Sequence, residues 1–313
     1  MDIDTLTHPT DTRTAAEALV DAAKTAGYAP SIHNTQPWRW RLTGNTLDLH
    51  LVRSRIMRTS DPDGRLAILS CGAALHHARV AMAAHGWRIT VTRMLQGADR
   101  DLLARLHVDR RSPIDLTSVQ LLGAISSRHT DRHAATDTPP DPEALTAITA
   151  AVEAQGTRLH TLRADQLLEL AAAADHAQRS QAADPAWQAE LIYWTGIREA
   201  AAPGRNIDYH GDLPITARHD KAAVFVMLHD SADEPLNWLR AGEALSAGWL
   251  TATGHGVSVL PHSAPIETIA TRQAMRAMIA GTGHPYLVLR LGTIDPVDTG
   301  APHPPADQIV ERY

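Results

Sequence analysis

The sequence predicts an α+β fold arranged as two lobes or one intertwined pair, and three observations lead there. Its 313 residues exceed the ~150 expected of one domain, and a 44% hydrophobic content is enough for a sizeable core. Short alternating apolar stretches of strand character stand among longer Ala-rich stretches with helical spacing. Two helix–strand units also look alike. Gly72-Ala-Ala74-Leu75 is followed by Gly86 and a strand at Ile89, and Gly242-Glu-Ala244-Leu245 by Gly256 and a strand at Val259, with identical Gly-to-Gly spacing.

Taken in order, Thr14 and Glu17 form a capping box, and Ala16, Leu19, Val20 and Ala23 share a helical face that Gly27 terminates. Trp38, Trp40 and Leu42 alternate, as do Leu47, Leu49 and Leu51, around Thr43-Gly44-Asn45-Thr46, which predicts a β-hairpin. A polar stretch from Arg53 to Asp63 precedes a longer helix carrying Ile68, Leu75, Ala78 and Met82, then a strand around Ile89 to Val91. The charged region from Arg100 to Ser118, with Pro113, is the expected join, dividing the chain into 1–115 and 116–313. Asp141-Pro142 and Asp184-Pro185 each open a helix, the first with Leu145, Ile148 and Val152, the second with Trp187, Leu191 and Trp194. Ala202 to Pro214 reads as a loop or lid. Strands at Ala222 to Leu228, Val257 to Leu260 and Tyr286 to Leu291 alternate with helices from Pro235 and around Thr268 to Ile279.

Composition narrows the function. A single Phe and 4% aromatic residues leave the core to Ala, Leu, Val and Ile on closely packed helices. Net charge −6 argues against a nucleic-acid partner but leaves room for a local pocket that grips one phosphate. Cys71, the one cysteine, excludes an intrachain disulfide and reads as core. Nothing at the N-terminus resembles a signal segment, and no continuous apolar run approaches the ~18 residues of a membrane span, so a cytoplasmic protein without membrane partners is expected.

The most informative segment is Ala29-Pro-Ser-Ile-His-Asn-Thr-Gln-Pro-Trp38, which sets polar groups, two prolines and a Trp between a helix and a strand. A plainer account is a turn shaped by Pro30 and Pro37, with Ser31 and Asn34 capping main-chain groups. The segment resembles the A-P-S-x-x-N-x-Q-P-W motif of flavin-dependent nitroreductases. With His33, Thr35, Asp61-Pro-x-Gly64-Arg65 and Ser70-Cys-Gly-Ala-Ala-Leu75, it resembles the Acg-like branch of fused, single-chain members. A flavin ring needs a few aimed donors and acceptors over an apolar wall. Ser31, Asn34 and Gln36 could supply the first and Trp38 the second.

Arg128-His-Thr-Asp-Arg132 resembles the R-x-[ST]-x-[RK] signature of the same superfamily. The planar fork of Arg suits bidentate bonds to phosphate oxygens. The resemblance implies that Arg128, His129 and Thr130 lie near the FMN phosphate and ribityl chain, and Arg132 near ring atoms N1 and O2. In homodimeric relatives the arginine signature precedes P-S-x-x-N in each subunit, and each flavin takes one motif from each subunit. Here the first half keeps only P-S-x-x-N and the second only the arginine signature, with Val152 to Leu162 where the other motif would follow. The resemblance therefore implies a pseudo-dimer of two nitroreductase-like halves, each an antiparallel sheet flanked by helices, with one complete FMN site between them. Pro261 and His262 correspond to a loop near the flavin N5 edge, so the expected cofactor-binding set is Pro30, Ser31, His33, Asn34, Gln36, Arg128, His129, Thr130, Arg132, Pro261 and His262.

Glu267 and Arg272 also fit the family pattern, though an exposed helical ion pair explains them equally well. Where many relatives carry a further phosphate-binding Arg, this chain has Pro302-His-Pro-Pro305, leaving His303 to contribute. The histidines are scattered without the carboxylates or thiolates of a metal site, so His76, His77, His129 and His133 are read as satisfied or solvated. The resulting expectation is hydride transfer from NAD(P)H through FMN to a nitroaromatic, a quinone or another small-molecule acceptor, with no dedicated catalytic acid or base. An FMN-sequestering protein with little turnover and a flavin-free interaction module are the alternatives. The expected state is a monomer with internal two-fold pseudo-symmetry.

Overall fold

A computed structural model describes residues 13–201 apart from 96 and 98, 222–293 apart from 282, and 310–312. The loop or lid expected at Ala202 to Pro214, and the Pro302 to Pro305 stretch with His303, lie outside the described residues.

The first half begins with helix α1 (Ala15–Ala26), where Glu17 N donates to Thr14 Oγ1 and Thr14 N donates back to the Glu17 carboxylate, the expected capping box. Strands β1 (Trp38–Thr43) and β2 (Thr46–Leu51) form the expected hairpin, with Gly44 at φ +55° in the turn. Helix α2 (Arg65–Ala84) runs to β3 (Trp87–Arg93). Next comes a strand the sequence reading missed, β4 (Leu102–Arg111), inside the region expected to be the join. Ala104, Leu106 and Val108 face the core while Arg105, His107 and Asp109 face outward, so the charges that suggested a linker are one face of a two-residue alternation.

Helix α3 (Leu116–Ser127) leads into the second half: α4 (Pro142–Glu153), β5 (Arg158–Thr161), α5 (Ala164–Ala183), α6 (Pro185–Ala201), β6 (Val224–Asp230), α7 (Pro235–Gly254), β7 (Ser258–His262), α8 (Ala264–Glu267), α9 (Ile269–Met278) and β8 (His284–Gly292). The two sheets repeat one topology. The first has the order β3-β4-β2-β1 and the second β7-β8-β6-β5, antiparallel throughout. A short strand β9 (Val310–Arg312) adds in parallel to β1, carrying the end of the chain into the sheet of the first half.

The halves meet where α2 crosses α7, at the two glycines singled out by the repeat. A Cβ on Gly72 would stand 2.0 Å from Leu239 O, and one on Gly242 would stand 1.8 Å from Leu69 O. The contact is reciprocal: Leu69 of α2 enters the apolar core of the second half, and Leu239 of α7 enters that of the first. His76 Nδ1 and Ser246 Oγ, 2.8 Å apart, extend the seam. Buried Glu243 of α7 accepts from Arg79 (2.6 Å) and from two nitrogens of Arg93 (2.7 and 2.8 Å), so its charge is matched across the seam.

Helix α2 departs from the amphipathic pattern of a surface helix. It is long and apolar enough by composition to cross a membrane, with a mean hydropathy of 1.3 over an 18-residue window, but 89% of that window is buried inside the protein. It is apolar all round because sheet one, α1, α3 and α7 surround it.

Two predictions follow from the seam. Gly72→Ala or Gly242→Ala should lower unfolding free energy by more than ~2 kcal/mol, since backbone atoms cannot move aside cheaply. Gly123→Ala, in α3 with nothing within 4 Å of the added carbon, should instead gain up to ~1 kcal/mol in the same denaturant titration. Acid should also destabilise the fold. Burial drives His76 from 6.5 to about 3, and His77 well below 6.5, so both stay neutral when folded. The unfolded chain binds those protons as pH drops through 6.5, and stability is lost from there downward. Buried Asp61, raised from 3.8 to about 6, acts in the opposite sense only between those two values. The thermal midpoint should therefore be lower at pH 5 than at pH 7.5; an equal or higher midpoint would contradict the assignment.

Candidate functional site

Three segments named from the sequence are linked at the seam. The first leaves α1 and makes a 3-10 turn at Ile32–Asn34. Its backbone enters the left-handed region at His33 (φ 42°), Asn34 (φ 57°) and Gln36 (φ 46°). Such residues cost roughly 1–3 kcal/mol each and persist only where their surroundings hold them. Here Ile32 N donates to Ser70 Oγ (3.1 Å), Gln36 N to Ser31 Oγ (3.1 Å), Arg55 Nη1 to Gln36 O (2.9 Å) and Cys71 Sγ to Pro37 O (3.3 Å). Ser31 thus accepts from the main chain, as the plainer account expected, and keeps its own O–H for another acceptor. The side-chain amides of Asn34 and Gln36 have no hydrogen-bond partner among the described residues. Trp38 is not a wall for a ring. Its indole is buried in the core between sheet one and the helices, because position 38 starts the inward-facing row of β1.

The second segment starts at Arg128, the residue that ends α3. Arg128 is only 8% exposed, donates from Nη2 to Tyr28 O (3.1 Å) and lies 4.7 Å over the Trp249 ring. Among the described residues its Nε has no partner and no carboxylate acts on it, and burial pulls the guanidinium down to about 10. A buried cation in this state is costly until an anion meets it, which fits a phosphate-binding role. His77 lies close enough to Arg128 to be acted on by its charge, and neither ring nitrogen makes a well-formed hydrogen bond. The satisfied-or-solvated expectation holds for His76, bonded to Ser246, but not for His77, which α2 buries completely.

Beyond Arg128 the chain is stitched to sheet two. Asp131 N donates to Val259 O (3.3 Å), Arg290 Nη2 to Asp131 O (3.2 Å) and His133 O (2.7 Å), and Thr136 N to Thr293 O (2.8 Å). His129 Nδ1 lies 3.0 Å from Ser127 O, and His133 Nδ1 lies 2.9 Å from the Asp131 carboxylate. Thr130 is half-buried and Arg132 is exposed.

In the third segment, Pro261 and His262 end β7, paired with Leu289 and Val288 of β8. The His262 ring stacks on Phe225 at 6.1 Å, its Nε2 has no partner among the described residues, and burial followed by the Arg290 charge lowers its pKa to about 3. Glu267 of α8 then reaches back to the first segment. One carboxylate oxygen lies 3.6 Å from His33 Nε2 and the other accepts from Gln181 Nε2 at 2.7 Å. Glu267 and Arg272 are therefore not an exposed pair. Both are buried, and Arg272 forks onto Asp233 (2.7 and 2.7 Å) because α9 turns it toward the loop before α7.

Several supporting residues escaped the sequence reading. Arg55, Gln181 and Arg290 contact the predicted segments, and Glu190 of α6 accepts from Thr59 N, Ser60 N and Ser60 Oγ, docking that helix on the first half. Arg290 had a readable signal, a lone charge in an otherwise apolar strand; the others had none, since their partners are distant in sequence.

No family model matches the chain. Among known proteins it is 36% identical over 308 residues to "Putative NAD(P)H nitroreductase Rv3131" of Mycobacterium tuberculosis, covering 91% of this chain and 87% of that one. It is 32% identical over 326 residues to "Putative NAD(P)H nitroreductase acg" of the same organism, covering 97% of each chain. Among solved structures, a nitroreductase with bound FMN from Desulfitobacterium hafniense superposes at TM-score 0.42 and 15% identity, covering 61% of this chain and 96% of that one. The FMN- and NADPH-dependent nitroreductase NfnB superposes at 0.40 and 16% identity, covering 56% and 88%. The extent and level of identity with the two mycobacterial proteins, together with motifs that the fold links at one seam, establish that the chain belongs to the nitroreductase family.

Proposed function

We propose that the chain is an FMN-dependent NAD(P)H oxidoreductase that passes hydride to a nitroaromatic, a quinone or a related small acceptor. The observation that carries this reading is Arg128, a buried guanidinium whose Nε has no partner and which no carboxylate meets among the described residues, tied by Tyr28 O to the segment that holds Ser31, Asn34 and Gln36. Arg128, His129 and Thr130 would hold the phosphate end, with Arg132 toward the ring. Pro30, Ser31, His33, Asn34 and Gln36 would address its polar edge, and Pro261 and His262 the side opposite. Bound there, FMN would supply the hydride chemistry. The chain's part is orientation, fixed charge and exclusion of water.

One site rather than two is favoured by loop length. In the first half residues 27–37 connect α1 to β1, whereas in the second only residues 154–157 connect α4 to β5, leaving no room for a second P-S-x-x-N segment. We read the molecule as a single-chain pseudo-dimer whose halves divide at 115/116. The alternative, FMN sequestration with little turnover, gains support from α6, which packs against the Ile32–Asn34 turn and is fastened by Glu190.

Anaerobic absorbance spectra separate these readings. A flavin band that bleaches on adding NADPH or NADH and recovers with a quinone or nitroaromatic is the expected result for the oxidoreductase. A band that does not change would favour sequestration, and no band after incubation with FMN would reject both. Arg128→Ala should weaken FMN binding ten-fold or more, the loss of a charge-assisted contact of ~1.5 to 3 kcal/mol, measured by flavin fluorescence titration. Unchanged affinity would remove Arg128 from the site.

A further inference from the structure

One buried charge, Arg290 of β8, lies outside the expected cofactor-binding set. Arg290 is fully buried, 0% exposed, in a strand whose other residues from Tyr286 to Leu291 are apolar. Burying a guanidinium costs several kcal/mol unless polar groups receive it, and a leucine would continue the strand pattern without that cost. The residue needs a reason to be arginine.

Its surroundings supply one. Arg290 pairs in register with Phe225 of β6 and Leu260 of β7, and since β partners point to the same side of a sheet, its side chain shares a face with Phe225. Phe225 carries the stacked ring of His262. From that face Nη2 reaches the carbonyl oxygens of Asp131 and His133, on either side of Arg132. A guanidinium is suited to this because Nη2 carries two hydrogens held rigidly in the guanidinium plane, so that one nitrogen donates to two carbonyls at once. The same stretch of chain has little other freedom. Thr136 N is bonded to Thr293 O, and Gly292 is bare because a Cβ there would stand 2.6 Å from the Ala135 Cβ.

We infer that Arg290 is the positioning residue of the cofactor site, fixing the main chain on both sides of Arg132 and locking the arginine segment to the strand end that carries Pro261 and His262. The inference rests on the FMN reading of those segments. Arg290 touches neither phosphate nor ring in this scheme. It removes the conformational freedom that Arg128, Thr130 and Arg132 would otherwise lose on binding, and so raises affinity through preorganisation.

The test compares the full chain with Arg290→Leu and Arg290→Lys. Three quantities are measured: FMN affinity by fluorescence titration, thermal midpoint, and amide hydrogen exchange over residues 130–136 in the flavin-free protein. Arg290→Leu should melt cooperatively, weaken FMN binding at least ten-fold and speed exchange across 130–136 while β8 stays protected. Arg290→Lys, which retains a charge and donors but not their fixed planar orientation, should recover part of both the affinity and the protection. The inference is overturned if Arg290→Leu binds FMN and protects the segment like the unaltered chain. It is overturned equally if all variants lose affinity only in step with the thermal midpoint and Lys restores nothing. Should Arg290→Leu fail to fold, the Arg290→Lys protection of 130–136 relative to β8 decides. If the unaltered chain takes up no FMN, the proposed function falls instead, and the exchange comparison still settles whether Arg290 positions the segment.

Discussion

Two helices can bring their backbones into contact only where neither carries a side chain, and the crossing of α2 and α7 at Gly72 and Gly242 is that kind of contact. Ridges of side chains normally hold helix axes 8–10 Å apart. Removing both Cβ atoms at one point lets each helix insert the leucine one turn earlier into the core of the opposite half, Leu69 one way and Leu239 the other. The polar part of the seam depends on the same approach. Glu243 adjoins Gly242 and is gripped by Arg79 and Arg93 of the first half, while His76 meets Ser246 one turn further along.

The site depends on that seam because its segments lean on the two crossing helices. The strained turn around His33 hangs from Ser70 and Cys71, the residues immediately before Gly72. Arg128 rests on Trp249, further along α7. Each half repeats the other's sheet order, but the loops between repeated elements have diverged. The first half keeps the long connection from α1 to β1, and the second has the α5–α6 insertion where the first has a two-residue turn. Added length in a loop carries a modest thermodynamic cost, so the two halves can share a sheet order and differ in their connections.

The buried polar groups fall into two kinds. Glu243 and Arg272 are matched by opposite charges, the second by half-buried Asp233, and are satisfied within the fold. Arg128, His262 and His77 retain nitrogens without a well-formed partner, and they sit at or beside the predicted segments. Groups of the second kind reduce stability and are explained when a ligand completes them.

Local chemistry is what the sequence by itself determined. Thr14 and Glu17 cap α1, Gly44 turns the hairpin, and the Gly-to-Gly repeat announces the duplicated helix–strand unit, because each depends on residues a few positions apart. The motifs at 29–38 and 128–132 were legible for the same reason. Strand β4 was not, since its outward charges outweighed a short alternation. Only the tertiary structure decided what stands opposite what. Contacts such as Arg290 with Asp131, Glu267 with His33 and Glu190 with Ser60 join residues more than a hundred positions apart. No local preference encodes such pairings. They exist because the packing of two glycine-bearing helices sets where every loop of the two halves must end.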